Sequence, residues 1–121
     1  MLEYVRQAAE NAKDVLTVST GSRTLGATGL LDGKRATTKK TEISKVTTSY
    51  PGVKWIDNER WVSDGKYRTA SGSTAGLDMG YAYITARYSA KAAENIATNT
   101  EWCSIISPQF CPTQFCKKKG E

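Results

Sequence analysis

The sequence predicts an α/β layered fold with a mostly parallel sheet, one β-hairpin and helices on both faces. Three observations carry that prediction. Short apolar runs alternate with helix-like stretches through most of the 121 residues, the order expected of strands joined by covering helices. Asp64-Gly65 lies between two strand-like runs and is a favoured hairpin pair. The stretch Val15 to Lys39 (VLTVSTGSRTLGATGLLDGKRATTK) reads as strand, sharp turn, helix, turn and second strand.

Each element follows from local pattern. Leu2 to Lys13 reads as an amphipathic helix, with Leu2, Val5, Ala9 and Ala12 on one stripe and Asp14 breaking it. Val15 to Val18 is a short strand. A helix is expected from about Thr20 to Thr28, with Gly29 suited to its C-terminal cap. Asp32-Gly33 turns the chain into a second strand, Lys34 to Thr37. Thr41 to Ser49 reads as a short helix stopped by Tyr50-Pro51, and Trp55 begins another extended segment.

Glu59 to Ser63 and Lys66 to Ala70 form the hairpin. A helix follows with Ser73 as expected N-cap. Leu77, Tyr81, Ile84 and Tyr88 recur at helical spacing, and Met79, Ala82, Tyr83 and Ala86 fill the other side. So broad an apolar surface predicts cover on two faces. Asp78 is expected in the first turn, where the helix dipole favours a carboxylate. The last helix is expected from Ala90 to Asn99, capped by Ser89. Residues 106–121 read as an irregular tail containing cysteine and lysine, after a domain of residues 1–105.

Composition limits the function classes. A hydrophobic content of 39% and a charged content of 24% are ordinary for a globular domain. No apolar run approaches the roughly 18 residues of a membrane span. The charged N-terminal helix lacks the apolar core of a signal peptide, so a cytoplasmic location and no membrane partner are expected. The net charge of +5 gathers at Lys34, Arg35, Lys39 and Lys40 and at Lys117 to Lys119. No helix-turn-helix, RNP-like or zinc-finger pattern accompanies it, so a solvated face is the preferred reading and nucleic acid is not expected. Cys103, Cys111 and Cys116, with no histidine in the chain, match no zinc-ligand spacing. No metal site and no cofactor are expected.

The strand-to-helix turn at Ser19 has the layout of a nucleophile elbow, which holds one side chain over the end of a sheet. Serine between a strand and a helix is equally well explained as a helix cap. The segments VLTVSTGS, ATGLLDGKRATT, ERWVSDGKYRTASGSTAGLDMGYAYITARY and AAENIA, in that order, decide between these origins. Together they resemble the C-terminal half of the ThiJ/PfpI family, within the class I glutamine amidotransferase-like superfamily. The resemblance covers about residues 1 to 102. It is nearest the branch that includes isonitrile hydratase-like proteins, and it implies a partial flavodoxin-like sandwich.

Three departures bear on activity. The family has cysteine at the elbow, in V-C-T-G, where this chain has Ser19. Many members have histidine after the R-A-T-T stretch, where this chain has Lys39. The β/α units that open the family domain are expected to be missing, leaving the elbow strand near a sheet edge that invites pairing with another chain. The resemblance makes Ser19 the nucleophile position, the backbone N–H of Thr20 an oxyanion donor, and Lys39 the one nameable base. Gly21 would admit a substrate closely. It also brings Ser71-Gly72-Ser73-Thr74-Ala75-Gly76 to the elbow, so that Ser71, Gly72 and Thr74 are expected to contact a ligand. A glycine-permitted turn with a capping serine is the alternative for that segment.

A serine hydroxyl at a helix start does not ionise without a positioned base, and a solvated lysine is charged. The reading preferred from the sequence is therefore a degenerate, non-catalytic binding or interaction module. Its expected partners are a small-molecule ligand and a second copy meeting it through the open sheet edge. The alternative is a serine-nucleophile hydrolase or hydratase acting on a small molecule.

Overall fold

A computed structural model of the chain describes residues 1–102. The irregular tail at 106–121 and the three cysteines lie outside the described residues. The elements are α1 (Leu2–Asn11), β1 (Val15–Val18), α2 (Gly21–Gly26), β2 (Arg35–Ala36), a 3-10 turn (Lys40–Glu42), α3 (Ile43–Ser49), β3 (Lys54–Trp55), β4 (Trp61–Asp64), β5 (Tyr67–Ala70), α4 (Ser73–Arg87) and α5 (Ala90–Asn99).

β1, β5 and β4 form one sheet in that order, and β2 and β3 form a two-stranded parallel pair. β1 runs parallel to β5, with Val15 opposite Tyr67 and Val18 opposite Ala70. β4 is antiparallel to β5, with Trp61 opposite Ala70 and Asp64 opposite Tyr67. The mixed α/β layering follows the sequence expectation. Side chains alternate across β1, and each face meets a different helix. Thr17 bonds Ser22 of α2 on one face (Oγ1 to Oγ 2.7 Å). On the other, Val18 lies against α4, where a Cβ at Gly76 would come within 2.9 Å of both Val18 methyls.

The core divides the same way. Ala9, Leu25, Leu31, Ala36, Val53 and Tyr67 pack together, joined by Val5, Val15 and Trp55. Ala70, Ala75 and Met79 form a second cluster with Trp61. Lys66 ties α1 to the sheet, since its Nζ donates to the carbonyls of Ala9 (2.6 Å), Glu10 (3.0 Å) and Ala12 (3.1 Å). A cation on the last carbonyls of a helix satisfies acceptors that have no intrahelical donor.

Several sequence expectations are corrected. The hairpin loop is Gly65-Lys66 rather than Asp64-Gly65, because Asp64 pairs with Tyr67 and its carboxylate accepts the Arg35 N–H (2.8 Å). Gly65 alone takes a positive φ (59°) there, as a glycine in the first loop position does in a type II′ turn. α2 ends at Gly26 with Ala27 as cap, so Gly29, although left-handed (φ 81°), lies beyond the helix. Ser73 is the first helical residue rather than the cap. The Gly72 carbonyl accepts the opening helix bond from the Gly76 N–H (3.0 Å).

Asp78 lies past the first turn of α4, buried and paired with Arg60 (2.8 Å). The buried stripe of that helix is Ala75, Asp78 and Met79, while Leu77 is 55% exposed and Tyr88, which follows the helix, is 72% exposed. The apolar spacing of Leu77 and Tyr88 is therefore not a core stripe.

By contact density the chain divides into Met1–Met79 and Gly80–Glu121. The second unit contains the rest of α4, then α5. Ser89 caps α5 as expected, its Oγ accepting the Ala92 N–H (3.0 Å). Ala93 and Ala97 are buried, and Tyr81 stacks obliquely on Trp102 with ring centres 5.3 Å apart.

Candidate functional site

The site begins with a backbone conformation. Ser19 follows the last residue of β1 and has φ 57°. A side chain in that left-handed region costs about 1–2 kcal/mol, so the surroundings must hold it there. They do so from both sides. The Ser19 N–H donates to the Ala70 carbonyl (3.0 Å), which extends the β1–β5 ladder by one residue. The Ser19 carbonyl accepts a hydrogen bond from Thr38 Oγ1 (2.7 Å).

β1 and β5 are parallel, so their C-terminal ends lie side by side. The predicted Ser19 and Ser71 each follow the last residue of their strand and are neighbours. Ser71 is buried, and its N–H donates to the Arg60 carbonyl (2.8 Å). Ser19 is half-buried; Thr20 is exposed and stands as the N-cap of α2. Gly72 is half-buried and Thr74 is exposed on the first turn of α4.

The glycines differ in why they are glycine. A Cβ at Gly21 would touch only Thr17 Cβ at 3.5 Å, an ordinary contact, and a Cβ at Gly72 would meet nothing within 4 Å. Neither has a positive φ. Packing therefore does not require glycine at Gly21 or Gly72, whereas it does at Gly76. Gly21 also lines a groove of about 370 Å³ along α1 and β1, with Tyr4, Val5, Ala8, Leu16 and Leu25. Ser19 is not part of that lining.

Lys39 is exposed and is the N-cap of the 3-10 turn, its carbonyl accepting the Glu42 N–H (2.8 Å). The lysine tied into the neighbouring hydroxyl network is Lys40. Its Nζ donates to Thr37 Oγ1 (3.0 Å) and to the Glu59 carbonyl. Burial lowers the Lys40 pKa below 10.5, partly offset by Asp57 and Glu59.

Sequence reading missed the threonines. Thr37 and Thr38 are both fully buried. The Thr37 N–H donates to Thr69 Oγ1 (2.8 Å), and Thr37 Oγ1 donates to the Ile56 carbonyl (2.6 Å). The available signal was the Thr-Thr pair itself. β2 ends at Ala36 rather than at the expected Thr37, so both threonines follow the strand, and each buried hydroxyl needs a hydrogen-bond partner there.

A left-handed residue leading from a parallel strand into a helix, beside a second strand end, is the ligand-side arrangement of an open α/β sheet. The chain belongs to the DJ-1/PfpI family, whose sequence profile matches residues 1–86. It is 44% identical over 80 residues to isonitrile hydratase of Pseudomonas putida, covering 64% of this chain and 33% of that protein. It is 33% identical over 79 residues to the HTH-type transcriptional regulator CdhR of Pseudomonas aeruginosa, covering 65% of this chain and 23% of that protein. Among solved structures it matches a ThiJ/PfpI family protein from Pseudomonas syringae, with a TM-score of 0.73 and 28% identity over 85% of this chain and 41% of that one. The chain thus spans a third or less of the two curated relatives.

Proposed function

We propose that this chain is a binding member of the family, holding a small polar molecule at the C-terminal ends of β1 and β5 without turning it over. The observation that carries the reading is the Ser19 turn. It is held in its left-handed conformation (φ 57°), yet the residue there is a hydroxyl, the chain has no histidine, and Lys39 is exposed. A serine needs a base within hydrogen-bond reach to attack, and among the described residues Lys39 makes no hydrogen bond to Ser19. Gly21 and Gly72, which packing leaves free to be larger, support a backbone that a ligand approaches closely.

A second reading is favoured by the 44% identity to isonitrile hydratase. In it Lys39 is the base and the Ser19 hydroxyl adds to the isonitrile carbon to give a formimidate ester; water then adds to that carbon, with the Thr20 N–H as oxyanion donor, and the serine oxygen leaves, giving the formamide and free Ser19. One titration separates the two. Cyclohexyl isonitrile is added to the full chain and followed by NMR. The binding reading expects amide shifts at Thr20, Gly21 and Gly72 with no N-cyclohexylformamide. Formamide production that is lost in Ser19→Ala establishes the enzyme. Absence of both shifts and product removes the isonitrile as ligand and, with it, the support drawn from the hydratase.

We also propose self-association through β1. It pairs with β5 alone among the described strands, and Leu16 and Val18 on one of its faces are 38% and 42% exposed. An open edge with apolar side chains favours a further strand. Light scattering that finds only monomer across a wide concentration range removes this proposal.

A further inference from the structure

The two hydrogen bonds on Ser19 come from distant parts of the chain, and they do different things. The bond from the Ser19 N–H to the Ala70 carbonyl continues the sheet. The bond from Thr38 Oγ1 to the Ser19 carbonyl (2.7 Å) acts on the next peptide unit. In a planar trans peptide the carbonyl and the following N–H point in opposite directions. A donor that fixes the Ser19 carbonyl therefore fixes the Thr20 N–H as well, and aims it away from the buried Thr38.

We propose that Thr38 is a positioning residue whose hydroxyl, by holding the Ser19 carbonyl, keeps Ser19 left-handed and presents the Thr20 N–H to a ligand bearing a hydrogen-bond acceptor. The proposal rests on the reading of this turn as the ligand-binding element only for its last clause.

The geometry around Thr38 suits a fixed anchor. Thr38 is fully buried, and Thr37 beside it is held on three sides, by Thr69 Oγ1, the Ile56 carbonyl and Lys40 Nζ. A hydroxyl on so rigid a segment donates in one direction. Thr20, by contrast, is exposed, and among the described residues no group accepts a hydrogen bond from its N–H. Valine at position 38 would match the shape of threonine but leave the carbonyl of half-buried Ser19 without its donor. Hydrogen bonding to the carbonyl also polarises the peptide and strengthens its N–H as a donor.

The test compares the full chain with Thr38→Val and Thr38→Ser by NMR. A positive φ gives Ser19 a strong intraresidue HN–Hα NOE. The expected result is loss of that NOE and a shift of the Thr20 amide in Thr38→Val, both restored in Thr38→Ser, with the amides of α1 and the β4–β5 hairpin unmoved. An unchanged NOE and an unchanged Thr20 amide in folded Thr38→Val overturn the proposal. So does a change that Thr38→Ser fails to restore.

If Thr38→Val does not fold, the comparison is repeated in a Ser19→Gly background, where the left-handed conformation carries no Cβ cost. There the Thr20 amide must still shift on Thr38→Val and return on Thr38→Ser, and a stationary amide overturns the proposal. Cyclohexyl isonitrile distinguishes this proposal from the functional reading. A Thr20 amide that depends on Thr38 but ignores the isonitrile upholds the positioning role and removes that ligand. A Thr20 amide that responds to the isonitrile equally in the chain and in Thr38→Val removes the positioning role and leaves binding intact.

Discussion

Ser19 and Glu101 are the two described non-glycine residues with positive φ, 57° and 54°, and they are held in opposite ways. Glu101 is held by its own helix. After α5, the Trp102 N–H donates to the Ala97 carbonyl (2.9 Å) and the Glu101 N–H to the Thr98 carbonyl (3.2 Å). That pair of bonds is a Schellman cap, for which a left-handed residue is the normal ending. Ser19 has no such local reason. Its bonds come from Ala70 and Thr38, far away in sequence. A left-handed residue that a helix cap explains carries no functional message. One that the tertiary structure must hold in place gives the functional proposal for this turn its motive.

The comparison can be broken most severely at Gly76. A Cβ there would sit 2.9 Å from both Val18 methyls, next to Ser19. Gly76→Ala is expected to cost about 1–3 kcal/mol, as overpacking does, and to weaken the Ser19 NOE. An unchanged urea midpoint would mean that α4 and β1 separate easily and do not brace the turn.

Glycine at the two left-handed positions sharpens the contrast. Glu101→Gly and Ser19→Gly should each stabilise by about 1 kcal/mol, because a Cβ in this region costs about 1–2 kcal/mol. The two gains differ in their coupling to Thr38→Val. Sites sharing a hydrogen bond are non-additive, so Ser19→Gly should change the cost of Thr38→Val while Glu101→Gly leaves it alone. Equal additivity in both denaturation cycles would erase the distinction.

Gly21→Ala is a smaller effect. Replacing a glycine of ordinary φ reduces unfolded-chain entropy and stabilises by about 0.4–1 kcal/mol. The same change is expected to weaken any ligand-dependent shift at Thr20. A stabilised variant that binds as before would show that no ligand reaches this backbone.

The smallest effect is in alkali. Burial, with the Glu10 carboxylate, raises the Tyr67 pKa above 10.0. Its contribution to stability is complete below pH 10.0 and is lost as pH rises through the folded value. Lys40, lowered below 10.5 by burial, has the opposite sign. Its contribution is present above pH 10.5 and lost as pH falls through the folded value. Denaturation of Tyr67→Phe between pH 9 and 11 should therefore lack the alkaline decline and leave the gentle rise due to Lys40. An alkaline decline that persists undiminished in Tyr67→Phe would place its source elsewhere.

Local chemistry made much of this fold legible. The short apolar run VLTV is β1, Asp32-Gly33 forms its turn with Gly33 at φ 76°, and Ser89 caps α5. What escaped is tertiary. The loop of the hairpin lies one residue later, with Asp64 paired to Tyr67 and its carboxylate accepting the N–H of Arg35, distant in sequence. Asp78 gave no sign that Arg60 would hold it in the core. At the site, the turn and the nearness of Ser71 could be expected from the family resemblance. Thr38 could not, because its role lies in where its hydroxyl points after β2 has been placed.

The pairing of Val15 with Tyr67 and Val18 with Ala70 also has a kinetic consequence. Contacts between segments far apart along a chain form late, after local ones such as a β-hairpin, which closes in about 1–10 μs. β1 is therefore expected to dock on a preformed β4–β5 template, with the bent conformation of Ser19 imposed at docking rather than at nucleation. Pulse-labelled hydrogen exchange should find the hairpin amides protected before that of Ser19, and simultaneous protection would make the docking step concerted.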